Sequence, residues 1–177
     1  MARGFTSGND DDLIAAERDV QEAIGDLQID FDSLAAVSNV FRVANLARYH
    51  MERTVLADHD LSFTAFTTLW VLWVWGEREA RHLAAEAGIT KGTLTGVVTT
   101  LERRGLVERR THPNDKRLVL IAATDLGNAT MADLFPTFNA EEARITDHLS
   151  TKQKKALAST LRSIVRTLED RSDGAGG

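Results

Sequence analysis

The chain has 177 residues, of which 43% are hydrophobic and 27% charged, a composition that excludes an intrinsically disordered protein. It contains no cysteine, which excludes disulfides, thiol-based oxidation sensing and thiolate metal sites. The net charge of −5 argues against a polyanionic partner for the chain as a whole. However, residues 77–121 carry 9 basic and 6 acidic groups, whereas residues 1–76 carry 5 basic and 12 acidic ones. Because salt screens charges beyond about 8 Å, this local basic excess decides where a polyanion can dock.

Neither end of the chain nor its interior predicts a membrane segment. The first twelve residues contain no apolar core of signal-peptide length. The longest apolar run, Leu69–Trp75, is far too short to span a bilayer. We therefore expect a cytoplasmic protein that makes no contact with a membrane.

Helical periodicity dominates the first half of the chain. Apolar residues recur on one face of each of three predicted helices, whose bounds are Asp11–Gln28, Phe31–Ala57 and Thr64–Trp75. Ser62 suits the N-cap of the third helix, and Gly76 is expected to end it.

The middle of the chain predicts two short helices followed by a hairpin. The helices are Glu79–Ala87 and Lys91–Arg104, and the strands are Leu106–Arg110 and Leu118–Ile121. Turn-forming residues connect the strands. Helix, turn, helix and hairpin in this order are typical of a winged helix-turn-helix.

Two further helices are predicted at the C-terminal end. The first is Asp125–His148, with a kink at Pro136. The second is Thr151–Asp170, which follows an S-x-x-Q capping box that starts at Ser150.

The predicted fold class is therefore mainly α with a small β-hairpin wing. We expect an N-terminal extension at 1–30, a dimerisation helix at 31–60, a winged helix-turn-helix at 61–123, C-terminal dimerisation helices at 124–172 and a disordered tail at 173–177. The long helices have apolar stripes that a second copy of the chain would bury.

The helix predicted at Lys91–Arg104 has two contrasting faces. Leu94, Val97, Val98 and Leu101 are expected to point inward. The opposite face and the first turn combine glycines, threonines and two basic residues, namely Thr90, Lys91, Gly92, Thr93, Thr95, Gly96, Thr99 and Arg103. Glycine inside a helix costs about 1 kcal/mol relative to alanine, so helix stability does not explain the two glycines. A close approach to the floor of a DNA major groove does, although an ordinary surface helix that tolerates glycine is the alternative.

The hairpin offers a second basic feature. Its tip is bracketed by Arg109, Arg110, Lys116 and Arg117. Of these, Arg110, Lys116 and Arg117 are expected to contact DNA, because arginine is attracted into the minor groove. We expect Asp115 to hold one of the arginines in position. The alternative interpretation is a solvated charged turn.

These segments together resemble the MarR (multiple antibiotic resistance regulator) family. The matching motifs are L-A-x-x-x-G-I-T from Leu83, L-E-R-R-G-L-V-E-R-R from Leu101, the wing sequence P-N-D-K-R from Pro113 and T-x-x-G from Thr124. The resemblance implies a homodimer with interlocking terminal helices and two winged modules that bind a palindromic operator in double-stranded DNA. It also implies that Asp115 and Arg117 form the D-x-R wing motif, with the arginine serving the minor groove.

The sequence departs from the family pattern at two positions of the recognition helix. Gly96 stands where a larger polar or basic residue is common, and Gly92 stands where serine is common. We therefore expect few base contacts from this helix. The wing, phosphate contacts and DNA shape are expected to contribute more to DNA recognition.

The resemblance further implies release of DNA by a small aromatic or anionic effector. Candidate effector residues are Arg42, Arg48, Tyr49, His50, Trp70 and Trp73. The alternative is that the tryptophans belong to the core and the charged groups form surface or interface pairs. No cofactor and no metal site is expected, since the histidines lack ligand spacing. The main hypothesis is a dimeric DNA-binding repressor of transcription; a small all-α enzyme and a non-DNA-binding interaction protein are the competing hypotheses.

Overall fold

The computed structural model describes residues 10–25, 27–112, 115 and 117–174. Its α-helices are α1 (Asp10–Ile24), α2 (Phe31–Met51), α3 (Phe63–Trp75), α4 (Ala80–Glu86), α5 (Lys91–Arg103), α6 (Asp125–Ile145) and α7 (Thr151–Gly174). Its strands are β1 (Arg78–Glu79), β2 (Val107–Thr111) and β3 (Val119–Ala123). The predicted fold class, mainly helical with a small sheet, is confirmed.

Local capping rules place the helix starts correctly. The side chains of Ser62, Thr90 and Thr124 each accept a backbone N–H from three residues ahead and so cap α3, α5 and α6. At α7, the Ser150 backbone N–H donates to Oε1 of Gln153, while the Gln153 N–H donates to Oγ of Ser150, which completes the predicted capping box.

Helix ends differ more from the predictions. The first helix stops at Ile24 rather than Gln28, and Gly25, a poor helix former, follows it in a turn. The second predicted helix changes its hydrogen bonding at Met51 and continues as a π-helical turn, Glu52–Leu56, and a 3-10 turn, Ala57–His59. The last helix runs to Gly174 instead of Asp170, and residues 175–177 of the predicted tail lie outside the described residues.

The sheet has a third strand that the sequence did not predict. β3 lies between β1 and β2, and both pairings are antiparallel. Arg78 and Glu79 pair with Ile121 and Leu120. A two-residue strand is too short to show an alternating pattern, so only its pairing with β3 reveals it.

The chain divides into two compact units, residues 1–50 and residues 51–177. In the first unit, α1 and α2 are joined by a hydrogen bond of 2.7 Å from Nδ2 of Asn39 to Oε1 of Glu17. Most apolar side chains of α2 are exposed, with Phe41 at 65% and Leu46 at 62%. Among the described residues 10–25 and 27–50, this unit therefore presents an exposed apolar helical surface.

The second unit has the hydrophobic core that supports the winged module. Its fully buried side chains include Leu56, Leu69, Leu72, Leu83, Leu101, Met131 and Leu134. The rings of Phe66 and Phe138 stack with centroids 4.1 Å apart and join α3 to α6. Burial of side chains of this size is worth about 1.5–3 kcal/mol each, so this core holds the winged module as one body.

Two contacts fix the ends of α5 and the hairpin within this unit. The Arg104 guanidinium donates to the backbone oxygens of His59 and Asp60, which ties the end of α5 to the turn before α3. Gly127 lies against Leu106, the residue before β2, so closely that a Cβ there would come within 2.1 Å of the Leu106 backbone oxygen. Glycine at position 127 therefore lets α6 begin directly on the hairpin.

Candidate nucleic-acid interface

Helix α5 separates its inward and outward residues as the sequence predicts. Leu94, Val98 and Leu101 are at most 2% exposed, which anchors the helix on the core of the second unit. The outward residues are all exposed and form what we call the recognition face: Thr90, Lys91, Gly92, Thr93, Thr95, Gly96, Thr99 and Arg103. A helix held by its buried side can present this face to a groove as a rigid surface.

The two glycines leave the recognition face open. A Cβ built at Gly96 would meet no heavy atom of the described residues within 4 Å, and one at Gly92 would meet only Oγ1 of Thr90 at 3.8 Å. Intramolecular packing therefore does not require glycine at either position. What the glycines do is remove side-chain atoms from an exposed surface, as a close approach to a partner requires.

The threonine hydroxyls on this face are already engaged. Thr95 Oγ1 donates to the Lys91 backbone oxygen at 3.0 Å, and Thr99 Oγ1 donates to the Thr95 backbone oxygen at 2.9 Å. The hydroxyls of Thr90 and Thr93 share a hydrogen bond of 2.9 Å. Since a hydroxyl has one proton to donate, Thr95 and Thr99 can offer an outside partner their lone pairs and methyl groups while these bonds persist.

The wing, which we define as strands β2 and β3 with their connecting loop, has an ion pair near its tip. Arg117 donates from Nε to Oδ1 and from Nη2 to Oδ2 of Asp115, at 3.1 and 3.0 Å, and its backbone N–H also donates to Oδ1. The expectation that Asp115 holds an arginine is thus confirmed. The Arg117 side chain remains 90% exposed, and Pro113, Asn114 and Lys116 lie outside the described residues.

This ion pair favours the charged form of both partners. The hydrogen bonds from Arg117 hold the pKa of the Asp115 carboxyl below its usual range, and the same bond raises the pKa of Arg117. Both residues therefore stay charged at neutral pH. Because the pair is exposed, its main effect is on the orientation of the guanidinium rather than on stability.

The two adjacent arginines of β2 point to opposite sides of the hairpin. Arg109 donates from Nη1 to Glu102 and from Nη2 to Oγ1 of Thr99 at 3.1 Å, so it lies against α5. Arg110 donates to Glu108 and lies 3.7 Å from Glu77, away from α5. Arg110 is the predicted DNA contact and Arg109 is not, because the direction of a side chain depends on the exact strand register, which sequence alone fixes poorly.

A cleft of about 470 Å³ lies between α5 and the wing, and we call it the cationic cleft. Its floor is apolar, with Leu94, Val98 and Ile121. Four basic side chains line it, namely Arg81, Lys91, Arg109 and Arg117. The structure therefore brings together three predicted residues, Lys91, Thr95 and Arg117, and adds Arg81 and Arg109, of which Arg81 is paired with Glu79 at 3.0 Å.

The six candidate effector residues fall in both units. Arg42, Arg48, Tyr49 and His50 lie on α2 of the first unit, where Nη2 of Arg48 donates to Oδ1 of Asn45 at 3.0 Å. Trp70 and Trp73 lie on α3 of the second unit and pack against its core. Trp70 meets Trp75 edge to face at 4.9 Å, and Trp73 meets Phe135 at 5.5 Å. The effector assignment stays a prediction, and these contacts favour the alternative interpretation for the tryptophans.

Neither a membrane-spanning helix nor a cluster of metal ligands is found among the described residues. None of the described helices combines the length and hydropathy that a membrane crossing requires. Within the same residues, no group of three or more His, Asp or Glu side chains is placed to hold a metal ion.

Comparison with known proteins identifies relatives across most of the chain. The model of the MarR family matches residues 61–119. The HTH-type transcriptional regulator YwaE of Bacillus subtilis (strain 168) is 32% identical over 140 residues, which are 79% of this chain and 82% of that protein. The HTH-type transcriptional repressor YetL of the same organism is 28% identical over 142 residues, which are 79% and 84% of the two chains.

Solved structures with this fold include DNA-bound and ligand-regulated proteins. The MarR family regulator Sco3205 of Streptomyces coelicolor, solved in complex with DNA, matches with a TM-score of 0.72 at 23% identity and covers 80% of this chain and 91% of its own. BpsR of Bordetella bronchiseptica, whose DNA binding is regulated by 6-hydroxynicotinic acid, matches with a TM-score of 0.66 at 22% identity and covers 73% and 98%. At this identity the likeness establishes the fold.

Proposed function

The chain belongs to the MarR family of transcriptional regulators, and on that premise we propose that two copies of it bind a palindromic operator in double-stranded DNA. The relatives are regulators rather than enzymes, so the hypothesis of a small all-α enzyme is set aside. A DNA partner supports a cytoplasmic location, which we include in the proposal.

The observation that carries the proposal is the position of the recognition face beside the cationic cleft. The exposed surface of α5 has no bulky side chain between Gly92 and Thr99, so the helix backbone can approach a groove floor closely. Lys91, Arg117 and Arg109 line the adjoining cleft, where the phosphates at the groove edge would lie. Binding in the major groove requires small side chains on the helix that enters the groove and basic side chains beside the phosphates at the groove edge.

The wing supplies the second contact in this proposal. Arg117 is almost fully exposed, and Asp115 fixes the direction of its guanidinium. A narrow minor groove concentrates negative potential and attracts arginine in this way. We propose that Arg117 enters the minor groove beside the half-site that α5 occupies.

A homodimer explains the surfaces that a single chain leaves exposed. On α7, Leu157, Leu161, Ile164 and Val165 form an apolar stripe, and each is between 37% and 50% exposed. The apolar side chains of α2 are exposed as well. Contiguous apolar surface of this kind marks a protein–protein interface, and a two-fold dimer pairs two recognition faces with two half-sites.

We propose repression as the regulatory outcome, with release by a small aromatic or anionic molecule. The relative YetL is a repressor, and a dimer on an operator excludes other proteins from that DNA. The fold neighbour BpsR responds to an aromatic acid, 6-hydroxynicotinic acid. Arg42, Arg48 and His50 on α2 supply cationic and hydrogen-bonding groups that suit such a ligand.

A gel-shift titration on DNA upstream of the protein's own gene tests the proposal. We expect a complex that contains two chains and whose association constant falls steeply with the logarithm of salt concentration, because phosphate contacts release counterions. An equal length of mixed-sequence DNA is the control and should bind more weakly. The absence of a shift at low salt would favour the remaining alternative, an interaction protein that has this fold and does not bind DNA.

A further inference from the structure

Arg109 lies on β2, and its guanidinium reaches side chains of α5 at the cationic cleft. Its Nη1 donates to the Glu102 carboxylate and its Nη2 donates to Oγ1 of Thr99 at 3.1 Å. Both partners lie on α5, whereas Arg109 itself lies on β2. One guanidinium is therefore held by two side chains of the recognition helix.

The hydrogen bonds from Arg109 to Glu102 and Thr99 use two of the five N–H groups of the guanidinium. A guanidinium carries five N–H groups in a fixed plane, and Glu102 and Thr99 engage one hydrogen on each Nη. The Nε–H and the second hydrogen of each Nη are the ones left for an outside acceptor. The Arg109 side chain is 36% exposed and lines the cationic cleft together with Lys91 and Thr95.

Thr99 has a defined role in this arrangement. Its hydroxyl donates to the Thr95 backbone oxygen at 2.9 Å and accepts from Arg109. The hydroxyl proton is thus used within the helix, and a lone pair is used by the guanidinium. A threonine in this state orients Arg109 and is poorly placed to donate to a base.

We infer that Arg109 binds a DNA phosphate at the edge of the groove, and that Thr99 and Glu102 are positioning residues that hold its fork in the binding direction. The inference rests on the proposed function, since it names a further contact of the same surface. An Arg fork that is pre-oriented by two hydrogen bonds matches the two oxygens of a phosphate and loses little side-chain freedom on binding. Arg109 thereby adds a phosphate contact between those of α5 and the wing.

The test uses the full-length protein and a fluorescein-labelled duplex of mixed sequence, about three helical turns long. Base readout contributes nothing on such a probe, so the measured association constant reports phosphate contacts. For Arg109→Ala we expect the slope of log K against log salt to become less steep by about 0.9 for each protomer bound. Arg110→Ala removes the same charge from the other side of β2, and we expect a smaller change of slope.

The role of Thr99 is tested with a matched pair of substitutions. Thr99→Val keeps the side-chain shape and removes the hydroxyl, and we expect it to weaken binding about fivefold, which corresponds to the net worth of one ordinary hydrogen bond, about 1 kcal/mol. Thr99→Ser keeps the hydroxyl, and we expect it to restore most of the binding that Thr99→Val loses. In the Arg109→Ala background, Thr99→Val should have no further effect, because the group that it positions is absent.

The outcomes separate the inference from the function on which it rests. If the unchanged protein fails to bind the duplex at low salt, the proposed function fails. If it binds, but Arg109→Ala leaves the salt slope unchanged, Arg109 is a structural ion pair and the inference is overturned. An equal effect of Thr99→Val with and without Arg109 overturns the positioning role. Thermal unfolding of each variant confirms that the compared proteins are folded.

Discussion

Substituting Gly96 by alanine should stabilise the protein and weaken its binding to DNA. In the free protein, a Cβ at position 96 would meet no heavy atom of the described residues within 4 Å, so the new methyl group causes no clash. Gly96 lies inside α5, where alanine is favoured over glycine by about 1 kcal/mol. We therefore expect the free energy of unfolding to rise by about 1 kcal/mol in a urea titration.

The same methyl group lies on the recognition face, where the proposed interface brings α5 close to the groove floor. It would hold the helix away from the bases and strain at least one contact in each protomer. Contacts of this kind are worth about 1–3 kcal/mol each, so we expect the operator affinity to fall at least about tenfold. Fluorescence anisotropy with a labelled operator duplex measures this loss.

Thr100→Ala is the matched control for Gly96→Ala. Thr100 is exposed on α5 outside the recognition face, and alanine there improves helix propensity without adding an atom. We expect slightly higher stability and unchanged operator affinity. If Gly96→Ala stabilises the protein and binds the operator as tightly as the unchanged protein, the explanation of the glycines by close approach is wrong.

Three further substitutions test the fold, the wing and the dimer. Gly127→Ala should lower the free energy of unfolding by about 3 kcal/mol or more, since its Cβ would come within 2.1 Å of the Leu106 backbone oxygen and force α6 from the hairpin; urea titration measures it. Arg117→Ala should abolish tight operator binding at moderate salt in a gel shift. Ile164→Asp should convert dimers to monomers by light scattering, because it puts a charge on the apolar stripe of α7.

Each of these substitutions has its own control and its own contradicting result. An unchanged free energy of unfolding for Gly127→Ala would refute the close packing of α6 on the backbone of Leu106. Unchanged affinity of Arg117→Ala would remove the wing from the interface; NMR titration of that variant should also show the pKa of Asp115 rising towards its usual range, because its hydrogen-bond partner is gone. Ser159→Asp puts the same charge on the opposite face of α7 and should leave the dimer intact.

Local rules made the helix starts predictable, because the information lies within a few residues. Ser62, Thr90 and Thr124 each cap a helix through a hydrogen bond three residues away. The inward positions of α5 also followed from periodicity alone. The strand that was not predicted depends on a contact with a distant segment, because β1 exists only through its pairing with β3.

The recognition face could be predicted, but the direction of the basic side chains around it could not. Arg109 and Arg110 are neighbours of identical type, and the strand register decides which of them faces α5. Glu102 is an ordinary helix residue in the sequence, and its contact with Arg109 joins positions on two different elements. The apolar stripes of α2 and α7 were predicted and are exposed, and the homodimer that we propose would cover them.

Sequencing the fragments that the protein retains from sheared genomic DNA tests the central claim most directly. We predict enrichment of a few regions that share an inverted repeat, with half-site centres about one helical turn or a multiple of it apart. Arg117→Ala should lose this enrichment under the same salt conditions. Recovery of DNA with no sequence enriched over the input, at salt concentrations where the protein is folded and dimeric, would contradict operator recognition by this chain.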